Sequence, residues 1–244
     1  MRVAALFDIH ANLAALDAVL GEIQNESVDR IVVGGDVLPG PLPRQTMQRL
    51  LELSLPVDFL YGNGEVAVLE VLSGKEPARV PMQYRPDIYW NAEQIRDYKA
   101  TLHGWPKTIQ IDGELGRILF CHATPQNEND IFTRDTPEAR LISIFAKVEA
   151  DIIVCGHTHM QFDRMIGNKR VVNAGSVGMP FGAPGADWLL IGPSLQFMHT
   201  SYDLEQAANE IRASSYPHAD DFALHSVLEP PSAEAMLAAF SGKA

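Results

Sequence analysis

Five short stretches of this chain carry residue types that bind divalent cations: Asp8-Ile9-His10, Gly35-Asp36, Gly62-Asn63, His122 and Gly156-His157-Thr158-His159. Together they offer two carboxylates, one amide oxygen and four imidazoles. Such a mixed oxygen and nitrogen set suits borderline-hard divalent ions. Seven groups are enough for two ions if one carboxylate bridges them. Each stretch alone has a plainer reading. Asp-x-His after a strand is commonly a turn with a satisfied histidine, and Gly34-Gly35-Asp36 and Gly62-Asn63-Gly64 read as tight turns, because Gly and Asn tolerate left-handed backbone. His122 by itself reads as a buried, hydrogen-bonded histidine. The Gly-His-x-His run says more, since alternate residues at a strand end point the same way. What favours a common site is order: each stretch comes at or just past the end of an apolar run.

Apolar periodicity outlines the elements that would position these groups. Arg2–Phe7 is a short apolar run that reaches Asp8, and Leu13–Ile23 places Leu13, Leu16, Leu20 and Ile23 at helical spacing behind Asn12 as an N-cap. Arg30–Val33 is β-branched and precedes Gly34-Gly35-Asp36. Gln45–Leu55 reads as an amphipathic helix and Val57–Tyr61 as a third strand ahead of Gly62-Asn63. This β-α-β-α-β order implies parallel strands with right-handed crossovers. In open α/β sheets the carboxyl ends of such strands form the ligand crevice. Ser73–Pro86 has three prolines and little periodicity, which predicts a loop or lid. Helices are expected over Asn91–Leu102 and Pro137–Val148, strands over Thr108–Ile111, Gly116–Cys121 and Asp151–Cys155, and a polar loop over Pro125–Arg134. The short runs Gln161–Ile166, Arg170–Val172, Trp188–Ile191 and Leu195–His199 predict antiparallel hairpins, with Gly167-Asn168 as one turn. Asp203–Ala244 reads as a helical tail broken at Tyr216-Pro217 and Pro230-Pro231, covering the sheet or supporting a homodimer.

Composition narrows the functional classes. The chain has 244 residues, 46% of them hydrophobic and 20% charged, enough for a real core. No apolar run approaches the length of a membrane span, and the N-terminal run has no small-residue cleavage site, so no membrane association or secretory signal is expected. Cys121 and Cys155 lie inside apolar segments and read as core residues in a reduced, cytoplasmic protein. With 19 Lys+Arg against 31 Asp+Glu the net charge is −12, a surface that repels an extended nucleic acid. A metal-loaded pocket that takes one phosphate stays open, because bound cations invert the local sign. His103, His199, His218 and His225 lie in helical, hairpin or tail contexts and are expected to be structural or surface residues.

From Met1 to about His199 the sequence resembles the calcineurin-like metallophosphoesterases, particularly their compact bacterial and archaeal stand-alone phosphodiesterases. The resemblance is carried by the five stretches above and by Asn173-Ala174-Gly175-Ser176-Val177. It implies an α/β fold of two mixed β-sheets packed as a sandwich flanked by α-helices, with a domain over 1–200, a lid-like insert at about 73–106 and a helical tail over 201–244. It puts Asp8, His10 and His159 on one metal, Asn63, His122 and His157 on a second, and Asp36 as the bridge; Asn173–Val177 is expected to support these ligands. The implied cofactors are two divalent ions, manganese first, with iron, zinc, nickel or cobalt also suited. The implied reaction is hydrolysis of a small phosphate ester by in-line attack of a metal-bridging hydroxide. Two metals, two carboxylates and one hydroxide leave a site of about +1, which accepts a phosphate despite the acidic chain.

One departure stands out. Members with full phosphatase competence often have a histidine directly after Gly-Asn, where this chain has Gly64. That histidine helps to protonate the leaving group, so activity is expected to favour esters with good leaving groups, and Gly64→His is expected to raise turnover on poor ones. His103 is one substitute acid, although a surface helix position suits it better. Glu65 stands where the family has an acid that orients the histidine, or simply begins a helix. The pocket is expected to draw on Ala11-Asn12, Leu38–Pro43, Ser73–Pro86 and Thr124–Arg134, with Arg44, Arg79, Arg85 or Arg134 available for a second anion. The alternatives are a non-enzymatic scaffold on the same fold, for which Gly64 is the only sign, and a nuclease, which the acidic surface disfavours.

Overall fold

The computed structural model describes residues 1–242; Lys243 and Ala244, at the end of the expected tail, lie outside the described residues. The first half alternates β1 (Val3–Leu6), α1 (Leu13–Ile23), β2 (Arg30–Gly34), α2 (Pro43–Leu51), β3 (Val57–Leu60) and α3 (Asn63–Leu72). There follow α4 (Arg85–Gln94), α5 (Lys99–His103), the hairpin β4 (Thr108–Gly113) and β5 (Gly116–Cys121), α6 (Glu138–Phe145) and β6 (Ile152–Cys155). Two further hairpins, β7 (Phe162–Ile166) with β8 (Lys169–Asn173) and β9 (Ala186–Ile191) with β10 (Leu195–Thr200), precede α7 (Leu204–Arg212), α8 (Ala219–Phe222), a π-helical turn Ala223–Leu228 and α9 (Ala233–Ser241).

Two five-stranded mixed sheets result, ordered β10-β9-β1-β2-β3 and β4-β5-β6-β8-β7. Strands β1, β2 and β3 run parallel in the first, and β5, β6 and β8 in the second. Strand alternation sets the layers. Val3, Ala5 and Phe7 point at the other sheet and pack with Ile118, Phe120, Ile152 and Val154. Ala4, Leu6, Ile31 and Val33 point outward under Leu16, Leu20, Met47 and Leu50 of α1 and α2. Cys121 and Cys155 pack against Leu141 and Phe145 of α6 on the far side, both buried as expected. The fold is therefore a two-sheet sandwich with helices on both outer faces, and it brings the carboxyl ends of six parallel strands to one edge. No helix among the described residues is long and apolar enough to cross a membrane.

The segment read as a loop or lid departs from expectation. After the turns over 74–81 a 3₁₀ turn spans Met82–Tyr84, and α4 starts at Arg85, six residues before the expected helix. Pro86 occupies the first turn of α4, where its missing N–H costs nothing. The buried face of α4 alternates Asp87 and Asn91 with Ile88 and Ala92, so an apolar stripe does not show. The tail packs Ala208, Ile211, Phe222, Ala223 and Val227 against Ala14, Trp90 and Met179, joining α1, α4 and the loop behind β8.

Candidate metal centre

Each of the seven predicted residues lies one to four positions past a parallel strand, and the structure brings all seven together. Asp8, His10 and His159 form one group and Asp36, His122 and His157 another, with the potential ligand atoms of each group within 4.8 Å of one another. Asn63 Oδ1 lies 3.0 Å from His122 Nε2. Asp36 Oδ2 lies 3.5 Å from His122 Nε2 and 3.8 Å from His10 Nε2, one histidine from each group. Asp8, His10, Asp36, His122 and His159 are buried, and His157 nearly so.

The backbone is bent hard to achieve this. Among the described residues, seven that are not glycine have left-handed φ, and six of them are Asp8, His10, Ala11, Asp36, His157 and His159. Each such residue costs about 1–2 kcal/mol, which the ladder of loop bonds must offset. Asp8 N–H, His10 N–H and Ala11 N–H donate to the carbonyls of Gly35, Asp36 and Val37. His157 N–H donates to Asp8 Oδ2 at 2.8 Å. The Asn173–Val177 loop supports these turns as expected: Asn173 Nδ2 donates to the Gly156 carbonyl, and the Ser176 hydroxyl to the Asp8 carbonyl.

Three histidines are oriented from behind. Nδ1 of His10, His122 and His159 lies 3.1, 3.0 and 2.8 Å from the carbonyls of Pro39, Gly34 and Met179. A carbonyl only accepts, so Nδ1 carries the proton and the Nε2 lone pair is directed at the centre, as in metal-binding histidines. Burial, reinforced by His159, pushes His10 down to about 3, and burial with His122 does the same to His157. Burial works to raise Asp8, but His159, His122 and His10 outweigh it and hold it below its ordinary value. Burial and the Asp8 charge push Asp36 well up. Asp8 Oδ1 is buried with no hydrogen-bond partner. Imidazoles with Nε2 aimed inward, two carboxylates in mutual repulsion and an orphaned oxygen are what a divalent cation would satisfy. The residues fit such ions.

Two expectations about the Gly62–Glu65 turn are corrected. Gly64 has no room for a side chain: a Cβ there would lie 1.9 Å from the Leu38 carbonyl oxygen and 2.9 Å from Pro39 Cδ. Its N–H donates to Asp36 Oδ1 at 2.7 Å. Gly64→His would therefore collide with backbone instead of adding an acid. Glu65 does more than begin α3. Its buried carboxylate accepts the N–H groups of Asp36, Gly62 and Leu38 at 2.8, 2.8 and 3.0 Å, clamping two ligand loops to the helix start. Burial and the Asp36 charge push Glu65 up to about 7. An acid three residues past a helix N-cap is a recognisable capping signal in a sequence.

A cleft of about 320 Å³ opens beside His10, Asp36 and Asn63. Its walls are Val66 and Ala67 of α3, Arg79–Pro81, Tyr84, Ile88, Asn129, Met179 and Phe222. Of Arg44, Arg79, Arg85 and Arg134, only Arg79 lines it, paired to Glu128 at 3.1 Å; Arg44 and Arg85 pair with Asp97 and Glu76. His103 lines a separate hollow with Trp105. His218, read as structural or surface, lines the cleft together with Asp87 and Tyr216. No local signal in the sequence marks that group, because its members come from α4 and the tail.

Comparison with known proteins agrees with this geometry. A family model of the calcineurin-like phosphoesterase superfamily domain matches residues 1–191. The uncharacterized protein MJ0912 of Methanocaldococcus jannaschii is 26% identical over 237 residues, which cover 88% of this chain and 93% of that protein. The structure is similar to hypothetical protein PH1004 from Pyrococcus horikoshii OT3, with a TM-score of 0.80, 18% identity and coverage of 95% of this chain and 99% of that one. It is also similar to a metallophosphoesterase from Sphaerobacter thermophilus, with a TM-score of 0.71, 22% identity and coverage of 93% and 99%. The two structures establish the same sandwich fold. The family match over 191 of 244 residues, with a cluster fit for divalent cations at the edge where the sheets meet, makes this chain a member of the calcineurin-like phosphoesterase superfamily.

Proposed function

We propose that the protein is a dinuclear metal-dependent phosphodiesterase acting on a small phosphate ester. The observation that carries the reading is the convergence of two ligand groups around Asp36, whose Oδ2 is within 4 Å of a histidine from each. Asp8, His10 and His159 would hold one ion, Asn63, His122 and His157 the other, and Asp36 both. When bound, two divalent ions supply a water of lowered pKa and positive charge for the phosphoryl oxygens. The chain's own part is to fix that centre. Carbonyls of Gly34, Pro39 and Met179 keep three imidazoles in the ligating tautomer, Glu65 locks the Asp36 and Asn63 loops, and Asn173 and Ser176 hold the loops of Asp8 and His157.

The cleft supports a diester over a monoester. Its walls are mostly apolar, and its arginine, Arg79, is already paired with an acid. A singly charged diester with an apolar substituent suits such walls better than a doubly charged monoester. With Mn²⁺ added, bis(4-nitrophenyl) phosphate is expected to be hydrolysed, with activity lost on chelation and slower turnover of 4-nitrophenyl phosphate. Faster turnover of the monoester would contradict the diester reading.

A further inference from the structure

The wall of the cleft contributed by α4 and the tail carries a second polar group. His218 Nδ1 lies 2.8 Å from both carboxylate oxygens of Asp87. Asp87 is only 4% exposed. The His218 side chain is 39% exposed, its ring lines the cleft, and its Nε2 has no protein partner among the described residues. Tyr84 meets the ring edge-on at 6.1 Å. A short path of bonds links the pair to the metal centre. Asp87 lies one helical turn before Asn91, whose side chain bonds both the N–H and the carbonyl of Gly40. Gly40 follows Pro39, whose carbonyl orients His10.

A tether between the tail and α4 would need the ion pair but no ring on the cleft. A histidine with Nδ1 fixed by a buried carboxylate and Nε2 free is the arrangement of a positioned acid or base. Around it, Val80, Pro81, Ile88 and Phe222 make an apolar seat. We propose that His218 donates the proton to the leaving oxygen of the diester, filling the role that Gly64 leaves vacant, and that the leaving group is an apolar or aromatic alcohol seated on this wall. The inference rests on the phosphodiesterase reading. In the step, the P–O bond to the leaving group breaks, its electron pair stays on the leaving oxygen, and that oxygen takes the Nε2 proton of the His218 imidazolium. Water supplies the oxygen of the new P–O bond and releases a proton to solvent, and a solvent proton restores the imidazolium. One diester and one water give one alcohol and one monoester. Asp87 is a positioning residue that holds the ring through Nδ1.

The test compares His218→Gln with wild type, both loaded with Mn²⁺, on methyl 4-nitrophenyl phosphate and methyl phenyl phosphate. Loss of a general acid costs about 10²–10⁴-fold where protonation matters. The kcat on the phenyl ester, the poorer leaving group, is expected to fall about 10²-fold or more. The fall on the nitrophenyl ester is expected to be at least tenfold smaller. Asp87→Asn keeps an acceptor for Nδ1–H but not the charge, and should show the same selectivity with a smaller loss. Equal losses on the two esters, or none on either, would overturn the role of His218. If His218→Gln does not fold, Asp87→Asn is read by the same two outcomes. A wild type inactive on both esters would overturn the phosphodiesterase reading and this inference with it. An active wild type with unselective variants overturns the inference alone.

Discussion

Asp36 gives its two carboxylate oxygens separate tasks. Oδ1 accepts the Gly64 N–H, and Oδ2 lies between His10 and His122. In Asp36→Asn only the amide oxygen can accept from Gly64, so the NH₂ group would turn toward the histidines, where it cannot ligate. The expected result is loss of metal from both groups together, measured by elemental analysis after dialysis; a variant that keeps one equivalent would contradict the shared role. Gly64→Ala places its Cβ 1.9 Å from a backbone carbonyl, an overpacking of about 1–3 kcal/mol. At roughly 2–4 °C per kcal/mol for a chain of this size, a drop in Tm of several degrees is expected, and an unchanged Tm would refute the contact. The seven ligand candidates were legible because each follows a strand-like run. The steric role of Gly64 was not, since Leu38 is 26 positions away and only the folded turn brings its carbonyl close. His218 and Asp87 were invisible for the same reason, at 131 positions apart.

At the scale of elements, the start of α3 is the joint of the site. Glu65→Ala would leave the buried N–H groups of Asp36, Leu38 and Gly62 without acceptors. Each unsatisfied donor costs about 1–3 kcal/mol, so denaturant titration is expected to show a loss of at least about 3 kcal/mol. A loss below about 1 kcal/mol would mean that water or another group replaces the carboxylate. The strands β1, β2 and β6 were readable from the sequence because both their faces are buried, which makes continuous apolar runs; β3 and β5, partly exposed, were readable from shorter apolar runs ahead of Gly62-Asn63 and His122. Helix α4 was not. Half of its buried face is Asp87 and Asn91, polar residues kept inside by bonds to His218 and Gly40, so tertiary partners hide the 3.6-residue period.

Across the whole molecule, the charge balance decides what the site needs. A chain of net charge −12 with one paired arginine in its cleft has little of its own to hold a phosphate ester. Bound cations reverse that sign locally. The sandwich supplies the ligands from both sheets, while the tail closes the cleft with Tyr216, His218 and Phe222, residues beyond the stretch matched by the family model. The account therefore stands on the metal content of the folded chain. Elemental analysis of protein supplied with Mn²⁺ and freed of excess is predicted to find two equivalents per chain, both removed by chelation together with phosphodiester hydrolysis. One equivalent would contradict the dinuclear centre, and none would contradict the metal-dependent reading altogether.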